Sequence, residues 1–177
     1  MEGRGRFVSV WALILFVGPS VARFSGVDAT TCGCPPLWTG FDSNCYRYFS
    51  SENMTQFDAE LACQTFTTPG SIGHLVSIHS QDEMDLISVM YETLRSKRPG
   101  RATWVWIGLH NRVLEDSTDW TDGTQFDYSN WRPGQPNDPS GRSNCVFFSK
   151  DQLYKWNDVG CSLSNHDEAF ICKIPQW

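Results

Sequence analysis

The sequence predicts an α+β domain with two helices, short antiparallel sheets, a long ligand-bearing loop and disulfide cross-links. Three observations predict it. Two stretches of helical periodicity come first, and many short strand patterns separated by turns follow. The chain carries seven cysteines. A loop pattern, NWRPGQPNDPSGRSNC (130–145), holds three prolines and two glycines between aromatic-rich stretches. Structureless loops of more than about 12 residues are uncommon in compact domains and are often functional. A length of 177 residues suits one domain with a core of its own.

The first residues are read as a leader rather than as fold. Arg4 and Arg6 precede an apolar run from Phe7 to Val17, and Pro19 and small residues follow. This is the order of a secretory signal peptide. Cleavage after Ala22 satisfies the small-x-small rule through Ser20 and Ala22, with Ala29 as a weaker alternative. The run is too short for a membrane span, which needs about 20 apolar residues. The expected organisation is a signal peptide at 1–22, a short tail at 23–33 and one domain at 34–175, secreted to the extracellular space without membrane insertion. Loss of residues 1–22 leaves 12 basic and 19 acidic residues, a net charge of −7.

The elements follow in order. CPPLWTGFDSNCYRYF (34–49) reads as a turn and an aromatic strand. NMTQFDAELACQTF (53–66) is helical, with Phe57, Leu61 and Phe66 near one face and Thr55 as N-cap. Asn53-Met54-Thr55 is also a glycosylation sequon, which places Asn53 at the surface. GHLVSIHS (73–80) reads as a short strand. Ser80 and Glu83 match a capping box for a second helix, in which Met84, Ile87, Met90, Tyr91 and Leu94 recur at helical spacing. RSKRPGR (95–101) is an exposed basic connection. TWVWIGLH (103–110), CVFFS (145–149), YKWNDVGC (154–161) and AFICKI (169–174) read as strands, and DWTDGTQFDYSNW (119–131) mixes aromatics with turn residues.

Composition narrows the function. The formal net charge of −6 argues against a nucleic-acid partner, which selects for basic patches. None of His74, His79, His110 and His166 lies in an HExxH motif or beside a GxSxG. His79-Ser80 has the residue types of a base and nucleophile, but Ser80 is spoken for as a helix cap, so no enzyme is expected. In an oxidising compartment the cysteines belong to disulfides, and their wide spacing does not resemble a zinc site. Six cysteines allow fifteen pairings, among which spacing does not choose.

A hard cation is the better candidate ligand. Calcium takes oxygen ligands from carboxylates, amides and carbonyls. Gln135, Asn137 and Asp138 cluster in the loop, and Asn157 and Asp158 follow 20 residues on. A cis Gln135–Pro136 bond turns the chain sharply and lets both flanking side-chain carbonyls face one ion. The same residue types also serve as ordinary turn formers.

From Cys34 to Lys173 the chain resembles a C-type lectin domain of the secreted echinoderm type. The resemblance rests on Cys34-Pro35 with Trp38 and Cys45-Tyr46, on Asp58-Ala59-Glu60 ending in Cys63, and on Trp106-Ile107-Gly108-Leu109. Gln135-Pro136-Asn137, Trp156-Asn157-Asp158 and the last three cysteines continue it. It implies a C-type lectin-like fold with Cys34 bonded to Cys45, Cys63 to Cys172 and Cys145 to Cys161. Cys32 is then the spare, a candidate for an interchain disulfide that joins two copies. The resemblance implies that Trp38, Trp106, Ile107, Gly108, Leu109 and Trp156 are core. It implies that Gln135, Asn137, Asn157 and Asp158 hold calcium and bond adjacent hydroxyls of a glycan on a cell surface or microbe. An auxiliary calcium site would use Asn111, Glu115 and Asp138.

The sequence departs from the family pattern at charged positions. Gln-Pro-Asn stands where Glu-Pro-Asn (mannose-type) or Gln-Pro-Asp (galactose-type) is usual. Ser143 and Asn144 stand where an acidic ligand usually precedes the cysteine, and Asn111 where an acid is usual. Asp158 is then the one carboxylate of the principal site, and calcium affinity falls toward the millimolar end. Asp138-Pro139-Ser140-Gly141 supplies no ring for a galactose face, so both sugar types stay open. The sequence therefore predicts a secreted lectin with weak calcium dependence. The alternative is a calcium-independent module that binds a protein or mineral surface.

Overall fold

The structure is a computed structural model that describes residues 33–95, 104–112, 117–138, 141–164 and 167–177. The leader (1–22), the tail up to Cys32, the basic connection beyond Arg95, Glu115, Pro139, Ser140 and His166 lie outside the described residues.

Among the described residues, ten strands and two α-helices follow in chain order: β1 Thr39–Phe41, β2 Asn44–Glu52, α1 Gln56–Gln64, β3 Thr67–Thr68, β4 Ser71–Ile72, β5 His74–Leu75, α2 Gln81–Arg95, β6 Trp104–Arg112, β7 Ser117–Trp120, β8 Cys145–Ser149, β9 Trp156–Val159 and β10 Asp167–Pro175. The main sheet runs β1-β2-β10-β6-β8-β9, with β5 on β10 and β7 on β6, and β3-β4 forms a separate pair. The last strand is thus central. The expectation of antiparallel pairing holds for every pair except β10 with β6, which is parallel from Glu168↔Trp104 to Phe170↔Trp106. A parallel pair needs a long crossover, and the chain between β6 and β10, which includes the proline-rich loop, supplies it.

The sheet separates two apolar clusters. One packs Val76, Ile78, Met84, Ile87, Tyr91, Leu109 and Trp156 against α2, and the other packs Ala59, Cys63, Leu75, Trp106, Phe147 and Phe170 against α1. Val105 and Ile107 belong to the first cluster and Trp106 to the second, so β6 alternates as a strand buried on both faces must. Gly108 follows because a Cβ there would lie 2.8 Å from the Leu75 carbonyl oxygen. Trp156 is fully buried, whereas Trp38 is half-buried against Phe66.

Helix α2 matches its sequence pattern: Met84, Ile87, Met90 and Tyr91 are buried, and Leu94 is half-buried. The Ser80 Oγ accepts from Glu83 N at 3.1 Å, but the Glu83 carboxylate reaches His79 N rather than Ser80 N, one residue from the expected box. Its other oxygen accepts from Tyr46 OH at 2.6 Å and from Lys173 Nζ at 2.8 Å. Burial and then this carboxylate push the Tyr46 phenol far up, so it remains a donor.

Helix α1 corrects the sequence reading. Thr55 caps it as expected, accepting from Asp58 N. The inward face, however, is Gln56, Ala59, Glu60 and Cys63, while Phe57 is 67% and Leu61 46% exposed. The reason is that this helix docks through polar and covalent links. Gln56 Nε2 donates to Ile107 O (2.7 Å) and Leu109 O (3.2 Å), Glu60 Oε2 accepts from Leu75 N (2.8 Å), and Cys63 is bonded to Cys172. Apolar periodicity cannot register such an interface.

Among the described residues the disulfides are Cys34–Cys45, Cys63–Cys172 and Cys145–Cys161, as the family resemblance implied. The first secures the β1–β2 hairpin near the chain end, where Gly33 N also donates to Trp177 O at 2.8 Å. The second ties α1 to the central strand.

Candidate functional site

The site grows from strand β9 and the loop that lies against it. Trp156 is the anchor: Trp120, Tyr128 and Trp131 meet its ring edge-on at 5.7, 5.7 and 5.8 Å. Such edge-to-face contacts each add about 0.5–1.5 kcal/mol beyond simple burial. The backbone reinforces them, since Trp156 N donates to Asn130 O and Arg132 N to Trp156 O. Asn130 is buried and bridges further, donating from Nδ2 to Tyr154 O at 3.0 Å and accepting from Lys155 Nζ. The loop therefore enters the site beside the strand that carries Asn157 and Asp158.

The segment that leads into the loop, 121–129, is held by side chains from β10 and the stretch before α2. Asp122 accepts from Ser77 Oγ at 2.5 Å and from Thr124 N at 2.9 Å, and Lys173 Nζ donates to Ser77 Oγ. His79 Nδ1 meets Asp127 Oδ1 at 2.7 Å and its Nε2 lies 3.1 Å from Thr124 Oγ1. Burial raises the Asp122 pKa, but hydrogen bonds from Ser77 and Thr124 outweigh it and hold the carboxyl below its ordinary value. A depressed folded pKa means stability that is present above the unfolded value and lost as pH falls through the folded one. We expect Tm to drop on acidification through and below the ordinary carboxylate range. Asp122→Asn should flatten that drop, as read by thermal melts across an acid series.

The loop and β9 bring Gln135, Asn157 and Asp158 together, and Asn137 joins them through its backbone N–H. The Gln135–Pro136 bond is cis. Gln135 Nε2 donates to Asn157 Oδ1 at 2.5 Å, and Asn157 Nδ2 donates to Asp158 O at 3.3 Å. Asp158 is 5% exposed, and its two oxygens accept from Asn137 N (3.2 Å) and Asp138 N (3.3 Å). The Asn137 side chain is exposed and bonds to no described residue.

Asp138 has a structural task as well. Its Oδ2 accepts from Arg142 N (2.7 Å) and Ser143 N (2.6 Å), which closes the far end of the loop. The Asn111 backbone pairs with Thr118 in β7, but its side chain and Glu115 lie outside the described positions.

Two buried amide oxygens in this region, Gln135 Oε1 and Asn144 Oδ1, have no hydrogen-bond partner among the described residues. An orphaned buried acceptor is costly, about 1–3 kcal/mol, unless something else satisfies it. The sequence reading used Gln135 but set Asn144 aside because it is uncharged. Burial of its carbonyl oxygen is a tertiary property that no motif reports. Among the described residues, no three His, Cys, Asp or Glu side chains cluster as a metal group. The oxygens gathered here belong to the amides of Gln135 and Asn157 and to the Asp158 carboxylate, residue types that suit a hard cation of the calcium kind and not a soft metal.

Known proteins resemble this chain in sequence and in fold. A sequence model of the Lectin C-type domain matches residues 52–174. Echinoidin of Heliocidaris crassispina is 36% identical over 149 residues, spanning 81% of this chain and 98% of that protein. An alpha-N-acetylgalactosamine-specific lectin of Patiria pectinifera is 37% identical over 176 residues, spanning 95% and 96%. Among solved structures, the C-type lectin CEL-I from Cucumaria echinata superposes with a TM-score of 0.66 at 27% identity, covering 79% of this chain and 96% of that one.

Proposed function

The chain belongs to the C-type lectin domain family, and from that premise we propose that it is a secreted lectin that holds a saccharide through calcium. The observation that carries the proposal is the orphaned, buried Gln135 Oε1 beside Asn157 and Asp158. Gln135, Asn137, Asn157 and Asp158 would hold the ion. Calcium, when bound, supplies a positive centre that accepts two adjacent sugar hydroxyls as ligands.

The protein's own groups do the rest. Asp158 supplies the negative charge and, through Asn137 N and Asp138 N, fixes the loop in place. The amides of Gln135, Asn137 and Asn157 each offer an acceptor and a donor, so they can match a hydroxyl whichever way it points. With a single carboxylate in the principal set, calcium affinity is expected near the weak, extracellular end of the range, about 10⁻³ M. The leader at 1–22 supports delivery to such a fluid. Asn53 is exposed, which supports its use as a glycan attachment point, and Cys32 is the proposed link to a second copy.

The Patiria pectinifera relative is named for α-N-acetylgalactosamine, and Gln135 fits a galactose-type order of donors, so that sugar is the first to test. The expected result is retention on an N-acetylgalactosamine resin in millimolar calcium and release by a chelator. Retention that survives chelation, on a protein or mineral surface and on no glycan of an array, would instead favour a calcium-independent module.

A further inference from the structure

The proline-rich loop is a basic island on an acidic protein. Residues 130–145 hold two arginines, Arg132 and Arg142, and one acid, Asp138, whereas the whole chain has 14 basic and 20 acidic residues. The arginines bracket the loop residues of the proposed ligand set, and the main chain pins each of them. Arg132 N donates to Trp156 O at 3.0 Å, and its carbonyl accepts from Gln135 N at 2.9 Å. Arg142 N donates to Asp138 Oδ2 at 2.7 Å. The Arg142 carbonyl oxygen lies 3.8 Å from where a Cβ on Gly160 would stand, just beyond β9.

Both arginines are exposed, and neither guanidinium has a hydrogen-bond or ion-pair partner among the described residues. The neighbouring carboxylates are turned to the main chain instead. Asp138 Oδ2 takes Arg142 N and Ser143 N, and Asp158 takes Asn137 N and Asp138 N. Lys155, a further cation nearby, is committed to Asn130 Oδ1. Two uncompensated guanidinium groups thus flank a site rich in neutral amides.

We propose that the saccharide taken here carries an anionic substituent, a sulfate or a carboxylate, which Arg132 and Arg142 read. The inference rests on the calcium-bridged reading above and names its substrate class. A guanidinium offers a planar fork of N–H donors that matches an oxyanion. Calcium, when bound, brings two positive charges against the one Asp158 carboxylate, so a ligand anion also completes the charge balance. A neutral sugar leaves that charge unmet. A polyanion such as nucleic acid would be repelled by the acidic remainder of the surface.

Calorimetric titration of the whole mature protein in millimolar calcium, repeated in EDTA, tests it with two matched pairs. N-acetylgalactosamine 6-sulfate is set against N-acetylgalactosamine, and galacturonic acid against galactose. The pairs separate a sulfate from a carboxylate and leave the adjacent ring hydroxyls free. At least one anionic sugar should bind at least about fivefold tighter than its neutral parent, a difference of about 1 kcal/mol. Arg132→Gln with Arg142→Gln should bring that ratio close to unity, and Arg132→Lys with Arg142→Lys should keep part of it. Both side chains are exposed and unpartnered among the described residues, so neither double variant should disturb the fold. A ratio near unity for both pairs, or a ratio undiminished in the double Gln variant, would overturn the inference while neutral sugars still bind in calcium. Failure of the calcium-bridged reading looks different: no sugar of either pair binds in a chelator-sensitive way, and this inference falls with it.

Discussion

Asp158→Ala should abolish calcium-dependent saccharide binding, with a loss of at least about 100-fold. Removal of a supporting group outside the ligand shell already costs about 10–100-fold in metal affinity. Asp158 is a proposed ligand and the one carboxylate of the principal set, so more is at stake. The substitution also strips Asn137 N and Asp138 N of their acceptor, which loosens the loop. The fold should survive, because the Trp156 cluster and the disulfides stand apart from the carboxylate. Calorimetric titration of calcium and then of sugar reads the loss, and near-ultraviolet circular dichroism reads the fold. A variant that kept the parent's sugar affinity would remove Asp158 from the site. Asp158→Asn separates the two roles: it restores an acceptor to the loop but not the charge, so it should recover stability more than binding.

The second large effect belongs to the Cys63–Cys172 bridge. It spans 109 positions of sequence and joins α1 to the central strand. In the chain-entropy model, cross-linking a loop of that size stabilises by about 4–5 kcal/mol. Cys63→Ser with Cys172→Ser should therefore cost most of what a domain of marginal stability has to spare. The loss should exceed that for Cys34→Ser with Cys45→Ser, which closes a separation of only 11. Denaturant unfolding of the two double variants checks the order. If the short bridge proved the more costly, loop entropy would not be the governing term.

Legibility varied with the kind of force involved. Strand β8 was read at 145–149 and is found at Cys145–Ser149, because a fully apolar run in a buried strand leaves no other reading. Four of the five apolar positions expected on α2 are buried, since that helix turns a continuous apolar stripe to the core, with Glu83 as its polar link. Helix α1 docks through Gln56, Glu60 and Cys63, so counting apolar residues turned its face outward. Strand β7 lay hidden in a mixed segment, because its partner β6 selects it. The disulfide pairing came from family resemblance and not from spacing.

By itself the sequence determined the α+β class and the proline-rich loop with its cluster of amide and carboxylate side chains. These are local matters of composition, periodicity and turn chemistry. Only the tertiary structure decided that Asp138 closes the loop, that Gln135 and Asn144 bury unpaired oxygens, and that Phe57 stands in water. Each of these depends on which distant group arrives within hydrogen-bond reach. That is settled by packing across the sheet, which no local pattern encodes.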